Sequence, residues 1–246
     1  MNILVCVSKT PDTTAKIDFT ADNKEYNEKG KQFIMNPYDE WYALVRAIEL
    51  KEANGGEVTV INAGPASNDP ILRKGLAIGA DKAVRIDVDS RDSYHNAFQI
   101  AAYAKGKNYD LIVAGKETID FNGSIFGSML AELMELPFIS YSSKLEYKDG
   151  TATVHRDVEG GVEIVKVSPP FVLSAAKGLA EQRIPNMRGI MMAKRKPLEV
   201  VEAVEAGERT RIQEFELPED KGAVKMVDPE DMDELVRLLH EEAKVI

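Results

Sequence analysis

The sequence predicts an α/β, Rossmann-like fold in which a mostly parallel sheet carries helices on both faces. Short runs such as residues 3–7 and 110–114 are almost entirely apolar, which is typical of strands buried on both faces. These runs alternate with segments of helical period, and such βαβ units favour right-handed crossovers and a parallel sheet. With 246 residues, 44% of them hydrophobic and 29% charged, the chain has an ordinary globular composition for one or two domains.

Five apolar runs are predicted to be strands of this sheet: residues 3–7, 57–61, 83–86, 110–114 and 137–140. Four helices are predicted between them, namely one opened by residues 36–39 and stopped at Gly55, one through 71–77, one over 96–105 and one over 124–135. Residues 15–30 are polar, so this segment is predicted to be irregular or to hold a hairpin through residues 16–19.

After residue 142 the pattern becomes that of a hairpin region. Antiparallel strands are predicted at residues 144–147, 151–158 and 162–167, and a buried strand follows at 171–174. Residues 197–222 are charged and lack a period, which predicts an extended arm. A last helix is predicted over 228–244, because Asp228 is a suitable N-cap and Pro229 suits the first helical position. We therefore divide the chain into an α/β domain, residues 1–196, and a C-terminal arm with its helix, residues 197–246.

Composition excludes several classes of protein. A net charge of −10 argues against a general nucleic-acid binder, because neutralising phosphates needs a basic surface. The single Cys6 cannot form an internal disulfide, and the three histidines stand too far apart to predict a metal site. No apolar run reaches the roughly 18–20 residues of a membrane span. We therefore predict no nucleic-acid partner, no membrane insertion and a location in the cytoplasm or its mitochondrial-matrix equivalent.

Three loops follow predicted parallel strands and are candidates for a ligand site. They comprise residues 8–12, 62–67 and 115–123, and all contain small residues that allow close approach of the backbone. Ligands of an open parallel sheet bind beyond the carboxyl ends of its strands. The third loop leads into a helix start at Gly123 and Ser124, where free N–H groups and the helix dipole suit a phosphate. An ordinary turn between a strand and a capped helix has the same composition.

Motifs for side-chain catalysis are absent from the sequence. It contains no Gly-x-Gly-x-x-Gly fingerprint, no phosphate-binding P-loop and no Gly-x-Ser-x-Gly nucleophile elbow. Cys6 lies in an apolar run with no evident base nearby. We therefore predict no catalytic residue and favour the binding of a nucleotide or cofactor.

The segment of residues 178–196 has the composition of a contact surface. Apolar side chains such as Met191 and Met192 alternate with basic ones such as Arg188 and Arg195. Methionine and arginine are common in adaptable protein contacts. The alternative is that these apolar groups cover the end of the sheet.

Several ordered motifs together resemble the β subunit of electron transfer flavoprotein. Residues 158–163 are Val-Glu-Gly-Gly-Val-Glu, and residues 190–197 are Ile-Met-Met-Ala-Lys-Arg-Lys-Pro. Residues 35–40, 63–65 and 115–120 match further family motifs in the same order, so the resemblance covers essentially the whole chain. Where the family has Leu-Asn-x-Pro-Arg, residues 179–183 are Leu-Ala-Glu-Gln-Arg, and Ile125 and Phe126 replace a usual polar pair. Backbone amides would then carry more of the phosphate binding.

This resemblance implies an electron carrier and not an enzyme. It implies an adenine-nucleotide-hydrolase-like fold and a heterodimer with an α subunit that holds most of the redox FAD, while the β subunit holds AMP. It also implies electron donors such as acyl-CoA dehydrogenases and an acceptor of the electron transfer flavoprotein:quinone oxidoreductase type. The domain of residues 1–196 would bind the nucleotide, and residues 197–246 would pack on the α subunit.

The resemblance assigns residues to two sites. A docking loop, residues 176–190, would contact the dehydrogenase through an exposed Leu179 and through Arg183. The nucleotide-binding positions would be Cys6 through its backbone, Asn36, Pro37, Tyr38, Asp39, Ala63, Gly115, Lys116, Glu117, Thr118, Ile119, Asp120, Phe121, Asn122, Gly123, Ser124, Ile125 and Phe126.

Three alternatives stay open at this point. Some family members hold a second FAD in place of AMP and bifurcate electrons, but residues 90–98 lack the Thr/Ser-rich stretch that such members carry. A stand-alone adenine-nucleotide-binding module of the stress-protein kind would not need residues 143–246. An ATP-cleaving enzyme would need a Ser-Gly-Gly loop after the first strand, where this chain has Ser8-Lys9-Thr10-Pro11.

Overall fold

The computed structural model describes residues 1–117, 122–219 and 222–246. The strands of these residues are β1 (Asn2–Cys6), β2 (Lys9–Pro11), β3 (Phe33–Met35), β4 (Glu57–Gly64), β5 (Lys82–Asp87), β6 (Leu111–Gly115), β7 (Phe138–Lys148), β8 (Thr151–Val158), β9 (Gly161–Val167), β10 (Phe171–Ala175) and β11 (Leu198–Glu202). The helices are α1 (Asp39–Asn54), α2 (Asp69–Ile78), α3 (Ser93–Ala104), α4 (Phe126–Met134), α5 (Met187–Ala193) and α6 (Met232–Arg237). A 3-10 turn at Ala66–Asn68 precedes α2, and a π-helical turn at Leu238–Glu242 follows α6.

The main sheet has the strand order β11-β5-β4-β1-β6-β10-β7-β8-β9. Neighbouring strands from β11 to β7 are parallel, whereas β7, β8 and β9 are antiparallel. A separate antiparallel pair is formed by β2 and β3. The strand order reverses at β1, since β4 and β5 lie on one side of it and β6 on the other. The crevice beyond the carboxyl ends at such a reversal is the usual ligand site of open α/β sheets.

Side chains of the central strand β1 alternate between two apolar cores. Ile3 and Val5 belong to the core formed with α1 and α2, whereas Leu4 and Cys6 belong to the core formed with α3 and α4. Because helices cover both faces of β1, its sequence does not alternate between polar and apolar residues. The predicted α/β fold, with a mostly parallel sheet and helices on both faces, is confirmed.

One strand replaces two that the sequence predicts separately. The predicted strand at 137–140 and the predicted hairpin strand at 144–147 form the continuous β7. The first part of β7 pairs with β10 in parallel, and the second part pairs with β8 in the antiparallel sense. The change in sequence pattern after residue 142 therefore marks the point where β7 changes its partner strand from β10 to β8.

The C-terminal region differs from its prediction in two places. The extended arm predicted from residue 197 begins as β11, which pairs with β5 and extends the sheet. The predicted start of the last helix at Asp228 is wrong, because Asp228 caps only a turn and accepts a hydrogen bond from Glu230. The side chain of Asp231 caps α6 instead, accepting the Glu234 N–H at 3.0 Å.

Residues 178–196 and residues 15–30 can also be compared with their predicted structure. Helix α5 forms within the segment of residues 178–196, where no helix is predicted. Residues 15–30 contain one isolated bridge pair, Phe19 and Tyr26, and are otherwise irregular. Within the described ranges, every helix is too short or too polar to span a bilayer.

Candidate functional site

A cavity of about 780 Å³ lies beyond the carboxyl ends of β1, β4 and β6. All three loops predicted as ligand loops contribute to its wall, through residues such as Ser8, Asn62 and Gly115. The volume falls within the range of about 300–1,000 Å³ that is typical of small-molecule sites. The reversal of strand order at β1 therefore has a ligand-sized space beside it.

Cys6 is the last residue of β1, lies at the cavity wall and has an unreactive thiol. It is almost fully buried, and burial, together with the nearby charge of Glu40, raises the pKa of its thiol well above the ordinary range. The thiol is therefore uncharged at neutral pH and is not an activated nucleophile. Glu40 accepts the Ser8 N–H at 2.7 Å and the Ser8 hydroxyl at 2.8 Å, which fixes the loop after β1.

The end of β4 is held by a chain of amide side chains. Asn62 donates to the Val7 carbonyl at 2.7 Å and accepts from Asn68 at 2.8 Å, so the loops after β1 and β4 are joined. Gly64 lies against this pair: a Cβ there would lie 2.7 Å from Asn62 Oδ1 and would also collide with Asn68. Arg85 donates to the Gly64 carbonyl at 3.1 Å from a buried position. The backbone at Gly64 is thus fixed in place and bare of any side chain.

The loop after β6 is clamped by two residues that precede and open α1. Asn36 donates to the Glu117 carbonyl at 3.2 Å, and Asp39 accepts the Glu117 N–H at 3.3 Å. Asp39 is buried, and this burial raises the pKa of its carboxyl group. Gly115 packs against Asp39 and Glu40, where a Cβ would lie 3.0 Å from Glu40. Glycine at this strand end therefore lets the loop approach α1 closely.

The start of α4 presents backbone N–H groups near this loop. Ile125 stands at the N-cap position, and no side chain among the described residues caps the helix. The first N–H groups of any helix lack partners within the helix. A cleft of about 10 Å³, the space of roughly one water molecule, lies between Gly115, Ser93 and this helix start. Phe126, the first residue of α4, lines both the cleft and the large cavity.

Ser124 fixes the approach to α4. Its backbone is left-handed, with φ of 57°, and its hydroxyl donates to the Lys116 carbonyl at 2.8 Å. The same hydroxyl lies 3.0 Å from the hydroxyl of Tyr141. Lys116 pairs with Glu117, and this contact raises the pKa of the Lys116 amine. The positive charge of Lys116 is therefore already neutralised by the carboxylate of Glu117.

The predicted nucleotide positions fall into four groups. Those lining the large cavity are Cys6, Tyr38, Ala63, Gly115 and Phe126. Those lining the small cleft are Gly115, Lys116, Glu117, Gly123, Ser124, Ile125 and Phe126. The third group lines neither space. In it, Asn36 and Asp39 clamp the loop after β6, and the Pro37 carbonyl accepts a hydrogen bond from Gln182. Asn122 also belongs to it and has a left-handed backbone. Thr118, Ile119, Asp120 and Phe121 lie outside the described residues.

Comparison with known proteins identifies the family. The sequence model described as "Electron transfer flavoprotein domain" matches residues 24–206. An electron transfer flavoprotein subunit beta of Bacillus subtilis is 38% identical over the whole of both chains. This chain belongs to the electron transfer flavoprotein β-subunit family. Membership implies an electron-transfer role, association with a flavin and a partner α subunit.

Two further relatives extend the comparison. The electron transfer flavoprotein subunit beta of Syntrophomonas wolfei is 37% identical over 91% of this chain and 88% of its own. Caffeyl-CoA reductase-Etf complex subunit CarD of Acetobacterium woodii is 34% identical over 81% of this chain and 78% of its own.

The loop predicted to dock this electron transfer flavoprotein subunit on a dehydrogenase differs from its prediction. Leu179 is only 4% exposed and belongs to the core beneath α1, so the prediction that it is exposed is wrong. Arg183 pairs with Glu52 at 2.8 Å, and its carbonyl accepts the Trp41 indole N–H. The exposed apolar residues of this segment lie farther along the chain: Ile184, Met187, Ile190, Met191 and Met192.

Sequence reasoning missed much of the cavity wall. One missed part is the start of α3 with the loop before it, including Ser90, Arg91 and Asn96. Another is a set of aromatic side chains from distant segments: Phe19, Tyr26, Phe33 and Phe215. Six of the sixteen aromatic residues that the structure describes line this one cavity, if Tyr38 and Phe126 are included. No local motif marks them, because the tertiary fold alone brings them together.

Proposed function

We propose that this chain is the β subunit of a heterodimeric electron transfer flavoprotein and that it holds AMP as a structural ligand. The redox FAD is held mainly by the α subunit. The dimer accepts electrons from dehydrogenases, acyl-CoA dehydrogenases among them, and passes them to an acceptor of the electron transfer flavoprotein:quinone oxidoreductase type. When bound, the flavin supplies the electron chemistry, and this chain supplies positioning and partner choice.

The cavity beside β1 is the observation that carries the AMP proposal. It lies where the strand order reverses, and two glycines in its wall, Gly64 and Gly115, allow the strand ends to pack closely against neighbouring side chains, where a Cβ would collide. These features fit a nucleotide held largely by backbone groups. The nucleotide stabilises the folded chain by mass action and undergoes no reaction.

We assign the phosphate to the start of α4 and the nucleoside to the aromatic part of the cavity. A single phosphate needs few donors, and the N–H groups following Ile125 meet that need together with the helix dipole. The net charge of −10 does not oppose this assignment, because the local dipole acts at much shorter range. Tyr38, Phe19 and Phe126 offer apolar rings to the base.

The start of α3 supports AMP over a second FAD. Its cap, Asp92, is buried and already accepts hydrogen bonds from Tyr94, Arg209 and Thr210. Residues 90–98 also place bulky Tyr94 and Phe98 where dual-flavin relatives carry the Thr/Ser-rich stretch. A diphosphate needs more donors than this helix start offers.

Exposed apolar side chains near the C-terminus support the α subunit as a partner. Val224 and Met226 are 81% and 86% exposed, and Val236 on α6 is also exposed. Several exposed apolar side chains in one region are typical of a surface that binds a partner protein. The relative named as a subunit of a caffeyl-CoA reductase-Etf complex supports a CoA-linked oxidoreductase as a further partner. The cytoplasmic location stays a prediction.

Nucleotide analysis of the purified heterodimer tests the proposal. The chain is co-expressed with its α subunit, the complex is denatured, and the released nucleotides are separated by chromatography. We expect one FAD and one AMP per dimer. Two FAD and no AMP would assign the chain to the electron-bifurcating members. A chain that binds adenine nucleotide but never pairs with an α subunit would favour the stand-alone module.

A further inference from the structure

The segment of residues 203–215, here called the strap, follows β11 and contributes Ile212 and Phe215 to the cavity wall. It has no helix or strand of its own. It is anchored on one side to α3 and on the other side to the irregular loop of residues 15–30. Both of these regions contribute residues to the cavity wall.

The first anchor is a reciprocal amide contact. Gln99 on α3 donates to the Val204 carbonyl at 2.7 Å and accepts the Val204 N–H at 2.9 Å. Gln99 is buried, so its amide group is held away from water while it makes these bonds. The strap therefore leaves β11 in a defined direction.

The second anchor is Asp92, the N-cap of α3. Its carboxylate accepts the Arg209 N–H at 2.6 Å and the Thr210 hydroxyl at 2.8 Å. Glu208 adds a hydrogen bond from Ser90 at 2.7 Å. Although burial opposes ionisation of Asp92, the bonds from Arg209 and Thr210 hold its pKa below the usual range.

The third anchor is aromatic and joins the strap to the irregular loop of residues 15–30. Phe215 stacks on Phe19 with ring centroids 4.8 Å apart, and its N–H donates to the Asn23 carbonyl at 2.7 Å. The guanidinium of Arg91 lies 5.8 Å from the Phe215 ring, which joins this anchor to the α3 side.

We propose that the strap closes the nucleotide cavity and that Asp92 is the positioning residue that latches it. Ile212 and Phe215 of the strap line the cavity directly. The inference rests on the proposed function, since it takes the nucleotide of this cavity to be AMP. Most residues of the strap are themselves exposed, so it opens without disturbing the sheet and sets the rate at which AMP leaves.

The test compares AMP release from the heterodimer of wild type and of Thr210→Val. This substitution keeps the shape of the side chain and removes its bond to Asp92, leaving the cap of α3 intact. Labelled AMP is bound, chased with unlabelled AMP, and followed with time. We expect release to become about tenfold faster, as loss of a hydrogen bond to a charged group implies. Phe215→Ala removes the third anchor and has the same expected direction.

Three controls separate a latch from a general loss of structure. Ser143→Ala removes a hydroxyl–carboxylate bond of 2.8 Å to Asp157 on the antiparallel part of the sheet, and release should not change. Thr210→Ser retains a hydroxyl and should restore slow release. The thermal midpoint of nucleotide-free protein should be the same for Thr210→Val and wild type.

Trypsin gives an independent measure of closure, because Arg209 and Arg211 lie within the strap. Saturating AMP should slow cleavage after both residues in the wild type. If AMP binds but its release is unchanged in both strap variants, the latch is refuted and the proposed function stands. If the wild type binds no AMP, the proposed function fails and the latch fails with it.

Discussion

Leu179 and Ile184 lie five residues apart in the predicted docking loop and have opposite environments. Leu179 is 4% exposed, whereas Ile184 is 83% exposed. Docking needs an accessible side chain, so the role predicted for Leu179 fits the position of Ile184 better. The segment around Arg183 is held to α1 by the Glu52 ion pair, so Ile184 projects from a supported loop.

Substitution of these two residues should separate stability from docking. Leu179→Ala should lower the free energy of unfolding by about 2–4 kcal/mol, because it leaves a cavity in the core. Ile184→Ala should change stability by less than about 0.5 kcal/mol and slow electron transfer from a dehydrogenase. Urea denaturation and anaerobic flavin reduction measure the two effects. Equal stability loss in both variants would contradict the assignment.

We expect the buried carboxyl group of Asp39 to make the free energy of unfolding depend on pH. Burial raises the pKa of Asp39 above the unfolded value of about 3.9, and the Glu117 N–H and Lys116 oppose this only in part. The folded state therefore binds this proton more tightly, and the free energy of unfolding falls as pH rises through the window between the two values.

Asp39→Asn should remove this contribution while keeping an oxygen for the Glu117 N–H. Its stability relative to wild type should therefore be higher at about pH 7 than at about pH 4. Asp149→Asn, in an exposed turn, is the matched control. Denaturant titrations at both pH values test this, and a difference that does not vary with pH would exclude the mechanism.

At the scale of elements, the ends of the parallel strands decide what the site can hold. The Asn62–Val7 bond joins the strand ends of β1 and β4, while the Ser8–Glu40 and Asn36–Glu117 bonds tie the loops after β1 and β6 to α1 and the residues before it. These bonds hold loops that contain little regular structure. The geometry of the cavity therefore depends on hydrogen bonds among its own lining side chains, such as Asn62 and Asn68, and on Asn36, which does not line it.

Gly64→Ala tests this dependence at the end of β4. The added methyl group would collide with the Asn62–Asn68 pair, so we expect a stability loss of about 1–3 kcal/mol and weaker AMP binding. Gly161→Ala on β9 is the control, because a Cβ there meets nothing within 4 Å. Calorimetric AMP titration and urea denaturation measure the two effects. Unchanged AMP affinity in Gly64→Ala would argue against a ligand at this strand end.

At the scale of the whole molecule, the exposed apolar C-terminal region predicts obligate pairing. Met226 and Val236 are exposed in this chain alone, and they would become buried on an α subunit. Co-expression should give a yellow complex with one copy of each subunit, whereas this chain alone should bind FAD poorly. Light scattering after size exclusion, with flavin absorbance, measures both properties. Stoichiometric FAD on the isolated chain would contradict the prediction.

The sequence by itself determined the α/β class, the central strands and three loops that line the cavity. Each of these depends on local pattern: continuous apolar runs such as residues 3–7 mark doubly covered strands, and glycine-containing turns end them. The ordered motifs also determined the family, which the comparisons confirm. The boundary at Asp228 was predicted wrongly because Asp228 and Asp231 are equally suitable caps in sequence.

Only the tertiary structure decided which residues meet at the cavity and which are buried. Leu179 has the same local composition as its exposed neighbours, and it is buried because the fold brings it into the core formed with α1 and α2. Likewise, Phe19 and Phe215 stack across 196 positions of sequence, and Asp92 finds its partners 117 and 118 residues away. Contacts at such separations leave no periodic trace in the sequence, because each side chain is selected by a partner that folding brings to it.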